Sequence, residues 1–392
     1  MQVQPKNIAI SKESSSQDEQ IIPPRFWWLK RGAIGFGLLL AMLCALRFWW
    51  GHEAQRRIDS PASIPLAPRN AEFNYDRALS QILVLAANDE FAKGNDGAAV
   101  EYAHDAILLG DTLDRADQYL TSHLVALAID DLDIDFLQQI AMGISISDRA
   151  DRGASPGQVR SLIAALMDER AMRNGAVRAS ESEGMIAINF PPLSSLTAAS
   201  PVIDKVFRPM EELNGVRIDE FESANARAYG QATFPAARLK LTSLAVGKQS
   251  AIEKVARDVS PFAYPPILPI EGHFKILVER RIAAIMLAVR LYSFDHQGKL
   301  PASLSELVPA YLPAVPRDPF DPANGPIRYL PMHDPPSLYC VGLNEKDDGG
   351  SEKYLLFSEP MTPRWHNEDV VYPLRGRPRI SPAQDHQSDK KE

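Results

Sequence analysis

Five oxygen-bearing side chains near the C-terminus are the residues best suited to chemistry in this sequence. Asn344, Asp347 and Asp348 fall in one short stretch, and Glu368 and Asp369 follow further on. With backbone carbonyls they offer the hard oxygen donors that calcium takes in sets of roughly six to eight. Gly349 and Gly350 stand beside them and permit the backbone conformations that turn carbonyls inward. For all five to meet, residues 343–350 must fold back toward Glu368 and Asp369. The plainer alternative is a solvated turn with an acidic rim.

Other constellations are weaker. Asp131-x-Asp133-x-Asp135 looks like the opening of a calcium loop, but Phe136 stands where the sharp turn needs glycine, so charged helix ends explain it better. Asp168-Glu169 and the Glu181/Glu183 pair are carboxylates that a hydrolase could use. Adjacent helical residues point in different directions, however, and surface charge accounts for them. The 8 histidines form neither an H-x-x-x-H pair nor an HExxH motif. There is no Walker loop and no dinucleotide fingerprint. Cys44 and Cys340 cannot make a disulfide framework or a zinc site, and both read as structural. Arg375-x-Arg377-x-Arg379 reads as a solvated basic tail.

The elements that must position these residues start from the charge distribution. The chain has 392 residues and a net charge of −8, which argues against a nucleic-acid partner. The first 60 residues carry eight Lys/Arg against five Asp/Glu, so the acidic charge belongs to the rest of the chain. Residues 32–46 contain no charge, and Phe26-Trp27-Trp28 and Phe48-Trp49-Trp50 flank them. Four of the 5 tryptophans thus stand where amphipathic rings favour the lipid headgroup level. Trp28 to Trp49 spans about 31 Å as a helix, close to a bilayer core of about 30 Å. The residues after the apolar run make a poor cleavage site, so the segment reads as an uncleaved anchor rather than a signal peptide. The alternative is a buried core helix. The basic residues on the two sides nearly balance. The short tail and large acidic body favour a cytoplasmic N-terminus and a bulk outside the cytoplasm, on a bacterial inner membrane.

Residues 1–25 read as a disordered tail, 26–50 as the transmembrane anchor and 51–70 as a linker. A helical-hairpin domain is expected over 71–186. Its stripes include Leu79, Ile82, Leu83 and Ala86, and then Ala99, Tyr102, Ala103, Ala106 and Ile107, stopped at Gly110. Ser155-Pro156 should cap a further helix. The first two helices look somewhat like one tetratricopeptide unit, but no second copy follows. A helical extension with a Pro-rich linker is expected over 187–270, with helices at 203–213, 219–229 and 236–259. The strongest helix is 274–294, with Val278, Ile282, Ile285, Val289 and Tyr292 along one stripe and Glu279, Arg280, Arg281 and Arg290 off it. Its uncharged stretch is too short to span a bilayer. Beyond it, Ser303 and Glu306 suggest a capping box, and apolar stretches at 327–330, 338–341, 354–357 and 370–374 suggest a small antiparallel sheet. Residues 375–392 read as a second disordered tail.

The order of motifs after the long helix resembles the globular lobe of type II secretion major pseudopilins. The likeness is carried by Asp295-x-x-Gly298-x-Leu300-Pro301, Leu304-x-x-Leu307-Val308-Pro309, Pro316-x-Asp318-Pro319-Phe320 and Tyr329. It continues in Val341-Gly342, Asp347-Asp348-Gly349-Gly350 and Glu368-Asp369-Val370-Val371. It covers 274–374, within an α+β lobe expected over 271–374, and it implies that calcium stabilises the glycine-rich acidic loop. A pseudopilin joins its apolar helix directly to the lobe, whereas about 220 residues intervene here. Gly35-Phe36 is followed by Leu40 where prepilin processing wants Glu. The whole chain resembles bacterial single-pass membrane proteins in which a helical region precedes such a lobe, a likeness that supplies an architecture and no activity. The expected fold is mainly α-helical: an N-terminal transmembrane helix, a helical-hairpin body and a small pseudopilin-like lobe. The expected function is a non-enzymatic envelope scaffold or binding module, with partners in the lipid bilayer and among envelope or secretion proteins. The alternative is an anchored hydrolase that uses carboxylates of the helical domain.

Overall fold

The computed structural model describes residues 70–116, 119–149, 152–189, 201–245, 268–355 and 363–379. The tail, the anchor at 26–50 and the linker expected before residue 70 lie outside the described residues. Within the described residues the chain is mainly helical with a small antiparallel sheet. Eight helices run there in order: α1 (Asn70–Ala92), α2 (Asp96–Ala116), α3 (Leu120–Ile140), α4 (Pro156–Met167), α5 (Arg170–Asn189), α6 (Pro201–Tyr229), α7 (Phe234–Ala245) and α8 (Leu268–Asp295). Three short strands follow, β1 (Arg328–Leu330), β2 (Ser337–Val341) and β3 (Asp369–Pro373), with β2 in the middle. Both pairings are antiparallel; Arg328 stands opposite Tyr339 and Cys340 opposite Val370.

The local reasons are those of the sequence. Gly94, at φ 77°, turns the chain between α1 and α2. Ser155 caps α4: its Oγ accepts from Gln158 N–H at 3.2 Å, while Gln158 Oε1 accepts from Ser155 N–H at 2.8 Å. The 304–307 helix is a single 3-10 turn, and Ser303 makes no side-chain cap there. Its hydroxyl pairs with Ser305 at 2.7 Å, and Glu306 takes the Ala302 N–H at 3.0 Å.

Helix α8 organises the molecule. Every residue of 282–289 is buried. The helix packs against α3 and α4 on one side and against α6, α7 and the 304–307 turn elsewhere. A stretch that is apolar all round belongs in an interior, because no face of it gains from contact with water. Its core is continuous with both ends of the described chain, from Ala87 and Phe91 on α1 to Val370 in β3 and Leu374 just after it. Body and lobe therefore share one hydrophobic core. Phe234 of α7 seals the joint: its N–H donates to Pro319 O at 2.7 Å, and its ring lies 5.1 Å from Phe320.

Three further expectations are corrected. Helix α2 does not stop at Gly110 but continues to Ala116, since Gly110 marks a close approach rather than an end. Segments 203–213 and 219–229 are one helix, α6. It runs unbroken through the weak helix formers Asn214 and Gly215 because it packs lengthwise on α5, and that packing overrides their propensity. Of the 354–357 stretch only 354 and 355 are described, and there Tyr354 makes an isolated bridge to Asn367. Residues 375–379 are docked rather than disordered, although Arg375, Arg377 and Arg379 stay exposed. Arg377 N–H donates to Gln139 O at 2.9 Å, and Arg379 pairs with the buried Asp96 at 2.6 Å.

Candidate functional site

Two polar clusters stand out, one inside the body and one in the lobe. The first is built on the N-terminal half of α8, whose His273, Glu279 and Arg280 are all buried. Arg280 is 0% exposed, and its Nη1 donates to Asp111 Oδ1 at 3.0 Å and Asp130 Oδ2 at 2.8 Å. The other guanidinium nitrogens donate to the carbonyls of Leu166 and Ala165 at 3.3 and 2.9 Å, at the end of α4. Gly110 makes this seat: a Cβ there would stand 2.7 Å from Asp130 Oδ1. Burial pushes the Asp130 carboxyl up to about 6 despite the attraction of Arg280. Burial alone would lower Arg280, but Asp130 and Asp111 outweigh it and hold the guanidinium charged.

Glu279, the residue before it on α8, faces another way. Its Oε1 accepts from Trp365 Nε1 at 3.0 Å and Tyr372 O–H at 2.8 Å, and its Oε2 from Gln138 Nε2 at 2.6 Å. One carboxylate thus joins α3 to the sheet and to the turn at 363–366. Burial raises its pKa against the pull of Arg364 and these donors.

The third group is a relay of buried rings. Asp114 Oδ1 lies 2.7 Å from His123 Nδ1, and His123 Nε2 lies 3.4 Å from His273 Nδ1. The Tyr229 ring stands edge-on to both imidazoles. With the His123 Nδ1 proton donated to Asp114, Nε2 is left to accept from His273 Nδ1–H. That leaves His273 Nε2 as a buried lone pair with no partner among the described residues. Burial, then the charges of His123, Arg173 and Arg281, hold His273 well below its ordinary range. Gly175 allows the approach, since a Cβ there would lie 2.5 Å from Asp114 Oδ1. Asp133, one turn after Asp130, accepts from the Ser80 hydroxyl at 3.0 Å, and burial raises it to about 8.

The second cluster contains the five residues expected to hold calcium. The loop does fold back toward Glu368 and Asp369, but it does so through N–H donors. Buried Asp369 Oδ2 accepts from the N–H groups of Asp348, Gly350 and Ser351 at 3.1, 2.7 and 3.1 Å. Glu368 accepts from the Ser351 hydroxyl at 2.8 Å and pairs with Lys353. Asp348 Oδ2 accepts from Asn344 Nδ2 at 2.7 Å, and Asn344 Oδ1 accepts from Lys346 N–H at 3.1 Å. Asp347 turns to Arg328 at 2.7 Å and to the Tyr339 hydroxyl at 3.1 Å. Burial favours the neutral acid of Asp347, but the Gly349 N–H and Arg328 outweigh it and hold its pKa low. Among the described residues no three acidic, His or Cys side chains form a group that could hold a metal ion.

Of the remaining carboxylates named from the sequence, Asp135, Asp168, Glu169 and Glu183 are engaged by arginine or by backbone. Asp168 is held bidentately by Arg170 at 2.7 and 2.8 Å. Glu169 takes Arg281 and Arg173, and Glu183 accepts the Leu120 N–H at 3.3 Å. Asp135 pairs with Arg364, and Cys340 is buried in β2. Sequence reasoning missed His123, His273, Glu279, Arg280 and Arg328. No signal in the sequence marked Glu279 and Arg280 as buried, since they stand off the apolar stripe of α8 where charge is ordinarily solvated.

No protein-family model matches the chain, and no curated protein or solved structure shows significant similarity to it. No helix among the described residues is long and apolar enough to cross a membrane.

Proposed function

We propose that the chain is a membrane-anchored, non-enzymatic scaffold or binding module of the bacterial cell envelope, held by residues 26–50 with its N-terminus in the cytoplasm. The observation that supports this reading most is the use made of its polar residues. Glu279 joins α3 to the sheet, Arg280 joins α2, α3 and α4, and Arg379 closes on Asp96. Asp96, Asp111, Asp130 and Glu279 are committed to these joints. A body cross-braced in this way suits a protein that presents fixed surfaces to its neighbours. The pseudopilin-like order of motifs in the lobe adds secretion proteins to the partners worth testing.

One observation favours a second reading, an anchored hydrolase. Asp114, His123 and His273 form an ordered acid–base chain ending in a free lone pair. All three are buried, so substrate would need an opening to reach them.

The experiment is membrane fractionation of the full chain and of a 26–50 deletion, followed by cross-linking in intact cells. The full chain should sediment with membranes, the deletion should stay in solution, and cross-links to defined envelope proteins should disappear when Arg280 is replaced and the body loosens. A soluble full chain would contradict the anchor. A hydrolytic activity abolished by His273→Gln in a folded protein would contradict the scaffold and favour the second reading.

A further inference from the structure

Arg328, at the start of β1, lies in the middle of the acidic residues of the lobe. Its Nε donates to Asp347 Oδ2 at 2.7 Å, Nη1 to Asp318 Oδ2 at 3.2 Å and Nη2 to Asp321 Oδ2 at 2.7 Å. Its guanidinium lies 5.8 Å from the centroid of the Tyr339 ring, and the Tyr339 hydroxyl donates to the other oxygen of Asp347. Other lone pairs of the three aspartates are taken by the backbone. Asp318 accepts from the N–H groups of Phe320 and Val341, Asp321 from Ala323 and Asp347 from Gly349, at 2.8–3.1 Å. Gly325 makes room for the arrangement, because a Cβ there would stand 2.6 Å from Asp321 Oδ2.

We propose that Arg328 is the built-in cation of the lobe: its guanidinium ties the loop of Asp318 and Asp321 to the loop of Asp347 as a bound divalent ion would, and the lobe closes without calcium. The chemistry suits a guanidinium. Three nitrogens in one plane reach three carboxylates in different directions, which the point charge of a lysine cannot do. A calcium ion at this place would have to displace the guanidinium. The inference rests on this geometry alone and is independent of the scaffold reading.

The test is thermal melting of the full chain in detergent, in chelator and in calcium at about 10 mM, above the range that weak extracellular calcium modules need. The wild type should melt at the same temperature in both. Arg328→Gln should melt lower by about 3–8 °C, and the Gly349 amide should exchange faster with solvent. A wild-type chain stabilised by calcium would overturn the proposal, as would an Arg328→Gln chain as stable as the wild type. Should Arg328→Gln fail to fold, Arg328→Lys keeps the test decisive. It should melt below the wild type, and wild-type stability in that variant would show that three-way bridging is not needed.

Discussion

Arginine between aspartates occurs twice in this molecule, in opposite surroundings. Arg280 is sealed in the helical body between Asp111 and Asp130, both nearly as inaccessible as itself. Arg328 keeps about a fifth of its side chain in water while it gathers Asp318, Asp321 and Asp347, the last of which is 45% exposed. In the dry site three charges have already lost their water, so removing one partner strands the others where nothing solvates them. In the half-wet site, water and backbone N–H groups take over much of what the guanidinium leaves. The same pairing therefore acts as a structural requirement in the body and as a latch in the lobe.

The largest effect should follow Arg280→Met. Asp130 would be left buried without a counter-charge and Asp111 with only Arg115 at 3.4 Å, and the loss should reach about 3–5 kcal/mol, read as a lower urea midpoint. Adding Asp111→Asn and Asp130→Asn should restore much of it, since the penalty belongs to the unpaired charges. Arg328→Gln should cost less, about 1–3 kcal/mol, because Asp347 is exposed to water and backbone N–H groups still face the buried Asp318 and Asp321. If the two variants were equally destabilised, the contrast between a dry and a half-wet site would fail.

Intermediate effects come from groups whose ionisation burial opposes. Asp133 is raised from 3.8 to about 8, so the folded chain keeps a proton that the unfolded chain releases, and stability falls as pH rises through that interval. Asp133→Asn should flatten this dependence and stabilise the chain at pH 8 by about 1–3 kcal/mol. His273 acts in the other direction. Its folded pKa lies well below 6.5, so the unfolded chain binds the extra proton, and stability present above pH 6.5 is lost as pH falls below it. His273→Gln should remove that acid-side slope in chemical melts at several pH values. An unchanged slope would place the titration elsewhere.

Much of the helical body was legible because its apolar residues repeat at helical spacing and its stops carry Gly, Pro and Ser. Gly110 was misread for a physical reason. In sequence a glycine signals an end, whereas here it is the one residue that lets Asp130 reach past α2 to Arg280. Glu279 and Arg280 were placed off the apolar stripe of α8, where a lone helix would show them to water. Only the helices packed around α8 reveal that no such face exists. His123 and His273 are 150 residues apart, so their meeting is a fact of topology that no spacing rule could give. In the lobe the acidic residues and the fold-back of their loop were legible, but the donor that meets them was not. Arg328 lies on a strand and carries no motif of its own.

Through the core it shares with both, α8 should make body and lobe one cooperative unit. Native-state hydrogen exchange of the full chain in rising urea tests it most directly, following amides of Leu137 in α3, Ile285 in α8 and Cys340 in β2. The three should share the same opening free energy and the same dependence on urea. A lobe whose Cys340 amide exchanged through a separate, lower-energy opening while Leu137 stayed protected would contradict it.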